Sequence, residues 1–464
     1  MNLDNISAVQ TSAGKGTRLR PLNLYSATSM IPKGLIRLLG TPIAEDQLEK
    51  FKRSGLSQVY MITQYLENRH LLLERFGNGS RFGIKIDYSY PKDDDDNNGS
   101  GDAILRNIEK KNIHGHSVIL ANDNLYEYDL EEAVSDHLKK KAVITIMTVR
   151  VKPVSAIRTY GLLDTDADKR VRKIAEKPDT VDELKAFMGI EDDEGLESET
   201  VKINTAGYIV DNDELLRLAQ REDWINKGRS KATSKGFDMA GDLIKGLVER
   251  GHGVYTTPID RWGDFGTIGY FLQTFPKALS GQFPSLVDVL LAKGYNRLPG
   301  VENVWVWGET LHREYNGMTL DERIRSGAVK LGPNVFIGRD VLISDGARIK
   351  YSDVEEQSMV GEGAELDHAY VSTFSEIGPG AVVRKSALGL AAQINSTLEA
   401  RTVLEAGSVI GPKIEVPPGT RLITTKVFPS YTFDQEPSQL FERKTLTPDM
   451  DDIQGAIQDY QKDR

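Results

Sequence analysis

The sequence has no cysteine in 464 residues. Disulfides, thiolate nucleophiles and Cys-ligated zinc are thereby excluded, so any metal must be held by oxygen or imidazole ligands. Long apolar runs are missing too. No uninterrupted stretch reaches membrane-spanning length, and Met1 to Gln10 offers neither a basic start nor an apolar run, which leads to the expectation of a cytoplasmic chain with no membrane partner. Nor is there a basic excess. Fifty-eight Lys and Arg against 68 Asp and Glu give a net charge of −10, with a pI near 5.4. Broad nucleic-acid or anionic-membrane binding is therefore not expected, whereas a local basic pocket for a small anion is. Length is ample: the chain can bury a large core and suffices for two or three domains.

What is present centres on Ser12 to Lys33. The run Ile6 to Thr11 has strand composition, so Gly14 and Gly16 fall where a strand ends and a loop must bend tightly. Glycines there let main-chain N–H groups face phosphate oxygens, and Lys15, Arg18 and Lys33 supply the positive charge a nucleoside triphosphate needs. Spacing rules out two rival phosphate motifs. A Walker loop requires Ser or Thr where Gly16 follows Lys15, and a dinucleotide fingerprint requires a third glycine where Leu19 stands. An ordinary strand-to-loop turn with surface basic residues is the competing reading; the continuation Thr17-Arg18-Leu19-Arg20-Pro21-Leu22 and then Pro32-Lys33 speaks against it.

This stretch resembles the signature of the sugar-1-phosphate nucleotidyltransferases, the NDP-sugar pyrophosphorylases, whose usual form is Gly-Gly-x-Gly-Thr-Arg-Leu-x-Pro-Leu-Thr followed by Pro-Lys-Pro. Ala13 stands for the first glycine, Asn23 for the threonine and Gly34 for the final proline; the last change loosens the loop that carries Lys33. From Leu3 to about Phe275, short β-branched runs such as Val59–Ile62, Val118–Ala121 and Val143–Ile146 alternate with amphipathic stretches. That pattern favours an α/β fold with a mostly parallel sheet, and the resemblance makes it a Rossmann-like nucleotidyltransferase core. One helix should bury Ile43, Gln47, Leu48 and Phe51 and end before Gly55, and another should bury Leu130, Val134 and Leu138.

In such sheets ligands sit beyond the carboxyl ends of strands. Asn122-Asp123-Asn124-Leu125-Tyr126 follows one of them and is similar to the family's Gly-Asp-x-x-Tyr element, whose aspartate holds Mg²⁺. Gly99-Ser100-Gly101 resembles the segment that packs against the nucleobase; read alone it is a glycine-rich helix entry capped by Ser100. The run Asp93–Asp96 just before it reads as a solvated loop. Tyr160-Gly161 and Glu176-Lys177-Pro178 resemble the family's sugar-side pair, and Asn204-Thr205-Ala206-Gly207-Tyr208 its Asn-Ala-Gly-x-Tyr with Thr205 inserted. Trp262-Gly263-Asp264-Phe265-Gly266-Thr267 looks like the segment with the second metal carboxylate.

The resemblance implies roles residue by residue. Arg18, Lys33, Asp123 and Lys177 would be catalytic; Ala13, Gly14, Gly16, Thr17, Gly99 and Ser100 would bind nucleotide; Gly161, Glu176 and Asn204 would bind sugar; Asp123 and Asp264 would hold Mg²⁺. The implied reaction joins a sugar 1-phosphate to a nucleoside triphosphate and releases pyrophosphate. Ile268 leans towards glucose 1-phosphate, with mannose-1-phosphate guanylyl transfer as the alternative and a non-catalytic relative as the alternative of another class.

From Val329 the period changes. Leu331, Ile337, Ile343 and Ile349 recur every sixth residue, and the series resumes at Val354, Val360 and Leu366, at Val371, Ile377 and Val383, and more weakly at Val403 and Val409. Such hexapeptide rungs resemble a left-handed parallel β-helix, against the alternative of a sandwich of alternating strands. The expected domains are 1–275 for catalysis, 276–325 as connector, 326–427 as β-helix and 428–464 as a tail with a short helix after Pro448. A β-helix with exposed faces commonly packs on copies of itself, so a homo-oligomer is expected. His368 falls on its outer face in this reading.

Overall fold

The structure, a computed structural model, describes residues 5–12, 14, 16–26, 29–63, 66–89, 99–230 and 236–429. Ala13, Lys15, the Asp93–Asp96 run and the segment from Ser430 onward lie outside the described residues. The chain divides into two compact units, one made of Met1–Gly14 with Gln47–Trp262, the other of Lys15–Asp46 with Gly263–Arg464.

The first unit is built on a nine-stranded mixed sheet. Its strands are β1 (Ile6–Ser12), β2 (Gln58–Thr63), β3 (Lys85–Tyr88), β4 (His116–Ala121), β5 (Ile144–Val151), β6 (Gly161–Thr165), β7 (Val171–Glu176), β8 (Val201–Asp211) and β9 (Val254–Pro258). The order is β7-β6-β8-β4-β1-β2-β3, with β5 also on β8 and β9 on β5. All but β7 and β8 run the same way. The aliphatic runs explain the core: Val118, Ile119 and Leu120 are buried together, as expected of a strand covered on both faces.

Two features of this sheet position the candidate site residues. Thr11 pairs with Ala121 in parallel, so β1 and β4 end side by side. Antiparallel to them, β8 places Gly207 opposite Leu120 and then overruns the carboxyl end of β4, where Val201–Asn204 pairs instead with β5 and β6. A register shift between Asn204 and Tyr208 marks the crossing.

The helices adopt their predicted faces with one exception. Ile43, Gln47, Leu48 and Phe51 are all buried along helix Ile43–Arg53. In helix Leu130–Lys139 the buried set is Leu130, Ala133, Val134 and His137, while Leu138 is only half-buried. The apolar stripe of a 3.6-residue helix passes through 137 after 130 and 134, and His137 occupies it.

In the second unit the region from Val304 is strand-rich, and its short strands pair in parallel along three ladders. One ladder joins Val304–Trp307, Val335–Ile337 and Ser352–Val354, and continues through the later parts of Glu365–Val371 and Val382–Leu388 to Val409–Ile410 and Lys426–Val427. A second runs from Lys330–Leu331 to Arg421–Ile423 and a third from Leu342–Ile343 to Glu415–Val416. Most steps advance 17 or 18 residues, as from Val335 to Ser352 or from Lys330 to Arg348. The inward aliphatics Leu331, Ile337, Ile343, Ile349, Val354, Val360, Leu366, Val371, Ile377 and Val383 share one apolar core. Beyond Ile394 the sixth-residue count fails. Val383 pairs with Leu404 and Leu388 with Ile410, so Leu404 and Ile410, rather than Val403 and Val409, join that core. Extra residues after Ile394 lengthen the step from Gln393 to Glu415 to 22 and shift the phase.

Candidate functional site

In the first unit, Gly14 follows the end of β1 and Asp123 the end of β4. The N–H of Asn122 donates to Thr11 O (3.1 Å), which keeps the two exits together. Asp123 is half-buried there. Behind it, the buried Tyr126 hydroxyl donates to Thr205 O (3.0 Å) and accepts from Asn124 Nδ2 (3.3 Å). Burial holds the Tyr126 phenol protonated, and the Asp123 charge reinforces this.

Gly99 opens helix Ser100–Lys111 at φ +104°. A Cβ at Gly99 would stand 2.5 Å from Phe237 O, so only glycine permits this approach of two backbones. The N–H of Gly101 also donates to Phe237 O (2.9 Å). Ser100 does not cap the helix. Its hydroxyl donates to Asp238 Oδ2 (2.8 Å) and accepts from Met239 N–H (2.9 Å), while Asp238 Oδ1 takes the N–H groups of Ala240 and Gly241.

Among the residues expected to bind sugar, Gly161 faces Glu176 across β6 and β7, and a Cβ at Gly161 would stand 2.6 Å from Glu176 Oε2. Asn204 is fixed at both ends: Oδ1 accepts from Ala206 N–H (2.9 Å) and Nδ2 donates to the Tyr208 hydroxyl (3.1 Å). The inserted Thr205 is buried and donates to Met147 O (2.8 Å), so the insertion is absorbed as the register shift in β8. Burial raises the Tyr208 phenol strongly, the Asn204 amide offsets part of this, and the charges of Asp238 and Glu176 add to the rise. Lys177, in the left-handed region at φ +50°, is half-exposed with Nζ 3.5 Å from Glu176 Oε1.

A Cβ at Gly241 would lie 3.6 Å from Asp238 Oδ1 and 3.7 Å from Glu176 Cγ. Gly99 and Ser100 are therefore linked through Asp238 to Gly161, Glu176, Asn204 and Tyr208 in one neighbourhood. Sequence reasoning missed Asp238. Its only local signal is an Asp placed to cap the next helical turn.

The second unit holds Gly16, Thr17, Arg18, Lys33 and Asp264. Gly16 is left-handed at φ +69° and precedes the single turn Thr17–Leu19, which buries Leu19 and leaves Thr17 and Arg18 exposed. A Cβ at Gly16 would stand 2.6 Å from Asn23 Nδ2 and 3.3 Å from Lys33 Cγ. Asn23, a departure from the family pattern, works as a strap. Its Nδ2 donates to Gly16 O (3.2 Å), and its own carbonyl accepts from Ile31 N–H (2.7 Å). The loop at Gly34 is closed by Leu35 N–H to Pro32 O (2.8 Å) and Ile36 N–H to Lys33 O (3.0 Å). Asp264 Oδ1 accepts from Gly266 N–H (2.6 Å) and its carbonyl accepts from Thr274 Oγ1 (3.0 Å). Lys33 Nζ lies 3.7 Å from the Cβ position of Gly266, so Lys33 and Asp264 meet the same glycine.

The candidates thus fall into two sets, Gly16, Thr17, Arg18, Lys33 and Asp264 in one unit and the remaining described ones in the other. Among the described residues no group of three or more His, Asp or Glu could hold a metal by itself, and no helix is long and apolar enough to cross a membrane.

Comparison with known proteins completes the assignment. A family model described as Nucleotidyl transferase matches residues 8–281, and one described as GMPPB C-terminal domain matches residues 321–439. UTP–glucose-1-phosphate uridylyltransferase of Synechocystis sp. is 30% identical over 370 residues, covering 77% of this chain and 84% of that protein. Glucose-1-phosphate adenylyltransferases of Clostridium novyi and Fervidobacterium nodosum are 26% and 27% identical, and the matches cover 63% and 61% of those proteins. With the first model matching more than half of its length, the chain belongs to the nucleotidyl transferase family and is a sugar-1-phosphate nucleotidyltransferase.

Proposed function

We propose that the chain condenses glucose 1-phosphate with a nucleoside triphosphate, giving NDP-glucose and pyrophosphate. The observation that carries this reading is the neighbourhood of Gly161, Glu176, Asn204 and Tyr208, where a glycine leaves room beside a carboxylate and an amide held in place. Such a site suits a polyhydroxyl ring, because fixed acceptors and donors recognise hydroxyls at little ordering cost. The glucose-1-phosphate substrates named for the uridylyl and adenylyl relatives support the same sugar.

In this reading the sugar phosphate oxygen attacks the α-phosphorus in line, and no covalent enzyme intermediate is needed. The protein's work is to position two anions and offset their repulsion. Arg18 and Lys33 are assigned to the triphosphate and Lys177 to the incoming phosphate, with Gly14, Gly16, Thr17, Gly99 and Ser100 towards the nucleotide. Magnesium, when bound, would neutralise phosphate charge; the carboxylates assigned to it are Asp123 and Asp264. This donor set fits an ion that takes one or two carboxylates and completes its shell with phosphate oxygens and water.

The match to the GMPPB C-terminal domain favours a second reading, guanylyl transfer to mannose 1-phosphate. A matrix of four triphosphates against glucose, mannose and N-acetylglucosamine 1-phosphates, scored by pyrophosphate release, separates the two. Glucose 1-phosphate as best acceptor is the expected result, and a preference for mannose 1-phosphate with GTP would replace the first reading by the second. If Asp123→Asn and Lys177→Ala both kept turnover within a few-fold of the parent, the assigned roles would be wrong. We further infer that the three C-terminal ladders coil into a left-handed parallel β-helix of six-residue rungs and that the chain works as a cytoplasmic homo-oligomer; a monomeric mass by light scattering would contradict the oligomer.

A further inference from the structure

Four residues after Lys33 the chain makes a short hairpin, Arg37–Leu38 with Thr41–Pro42, whose turn residues Leu39 and Gly40 are left-handed at φ +50° and +70°. That turn is gripped by acids more than 300 residues later in the same unit. Leu39 N–H donates to Asp353 Oδ2 (2.9 Å) and Gly40 N–H to Glu355 Oε1 (2.9 Å). Arg37 Nε donates to Glu355 Oε2 (2.9 Å), its Nη2 lies 2.7 Å from Glu356 Oε1 and donates to Gly40 O (2.8 Å), and the Arg37 carbonyl accepts from the Tyr370 hydroxyl (3.0 Å).

Asp353 and Glu355 are both 0% exposed. Two carboxylates on one guanidinium and a third on the turn's N–H are a costly way to secure a turn, since burying acids carries a large desolvation penalty that an apolar contact would not. Their return is geometric. Two buried acceptors and a forked cation fix both N–H groups of the turn and the Gly40 carbonyl, in a conformation that Leu39 adopts only under constraint. From that turn to Lys33 there is little slack: Ile36 N–H donates to Lys33 O (3.0 Å), and Ile36 O accepts from Ile43 N–H (3.1 Å).

We propose that Glu355, with Asp353, is a positioning residue for Lys33, so that the strand-rich region sets the affinity of the triphosphate side. The proposal rests on the assignment of Lys33 to the triphosphate. It is tested on the full chain by calorimetric titration with inorganic pyrophosphate in excess magnesium, a probe that needs neither the base nor the sugar to be known. Glu355→Gln should weaken binding about tenfold, the size of a charge-assisted hydrogen bond from Lys33 being lost. Lys33→Ala should weaken it at least as much, and the double variant should match Lys33→Ala within about twofold, because a residue acting through Lys33 has nothing left to act on. Unchanged affinity in Glu355→Gln, or losses that multiply in the double variant, would overturn the proposal. Full affinity in Lys33→Ala, or no binding by the parent, would instead remove the assignment of Lys33 on which it stands. Should Glu355→Gln not fold, Arg37→Lys, which keeps the cation but cannot bridge Glu355 and Glu356, goes through the same cycle with the same expected outcomes.

Discussion

Replacing Gly161 by alanine tests the sugar side with one methyl group. Gly161 lies in extended strand conformation opposite Glu176, so the backbone tolerates a side chain and the pairing of β6 with β7 survives. The new Cβ, however, would stand 2.6 Å from Glu176 Oε2, and ordinary contact begins at 3.4 Å. The carboxylate is the far end of a flexible side chain, so it is the group that gives way, by roughly 0.8 Å. A charge-assisted hydrogen bond from Glu176 to a sugar hydroxyl would then be lost or lengthened, worth about 1.5–3 kcal/mol. At 1.4 kcal/mol per decade this raises KM for the sugar 1-phosphate about 10- to 150-fold. The triphosphate KM should stay within about twofold and the urea midpoint should not move, since no core group changes. Steady-state kinetics with both substrates varied decides it. An unchanged sugar-phosphate KM, or equal rises in both, would refute the placement of Glu176 beside the sugar.

The remaining predictions concern stability. His137 is buried between Thr145 and His116, and burial pulls its pKa down to about 3 from 6.5, with the His116 charge adding to the fall. The unfolded chain therefore takes up a proton first, and stability is lost as pH drops from 6.5 towards 3, by about 2 kcal/mol at pH 5; urea midpoints at pH 7.5 and 5 should show this, and His137→Gln should flatten the difference. Gly99→Ala meets a harder obstacle than Gly161→Ala, because φ +104° disfavours any side chain and the Cβ would strike the Phe237 carbonyl at 2.5 Å. A loss of about 3 kcal/mol or more is expected, read as a lowered thermal midpoint, and a midpoint equal to that of the parent would contradict the backbone packing. Leu404→Ala should cost about 3 kcal/mol or more and Val403→Ala under about 1 kcal/mol; the reverse order by denaturant titration would make Val403 the inward residue.

The sequence made legible whatever depends on neighbours along the chain. Gly16 sits at positive φ where a strand gives way to a tight loop, Asp123 lies two residues past a strand end, and the inward aliphatics up to Val383 recur every sixth residue with a five-residue step at Val354 and at Val371. What it hid depends on partners far away. Asp238 acquires its place only when Ser100 and Phe237 come together across 136 intervening positions. The phase change at Leu404 comes from an enlarged step, and a count of apolar residues cannot tell a longer loop from a weaker repeat. His137 escapes an apolar-periodicity argument because that argument looks for leucine, whereas a neutral imidazole with hydrogen-bond partners on both nitrogens is equally at home inside.

Chain order and unit membership also part company. The segment 15–46 lies early in the sequence yet belongs with residues after 263. The fastenings explain why. Lys293 Nζ reaches Glu45 (2.8 Å) and Thr41 (2.9 Å), Tyr370 holds the Arg37 carbonyl, and Asp353 and Glu355 hold the turn after it. A boundary drawn near residue 275 cuts through all of them. Without the later residues the Leu39 and Gly40 N–H groups lose their acceptors and Arg37 its two counter-charges, so nothing holds the turn in its left-handed conformation. The strand-rich region is therefore part of what shapes the loop bearing Gly16 and Lys33, whereas Gly161, Glu176 and Asn204 are brought together by sheet register within 47–262.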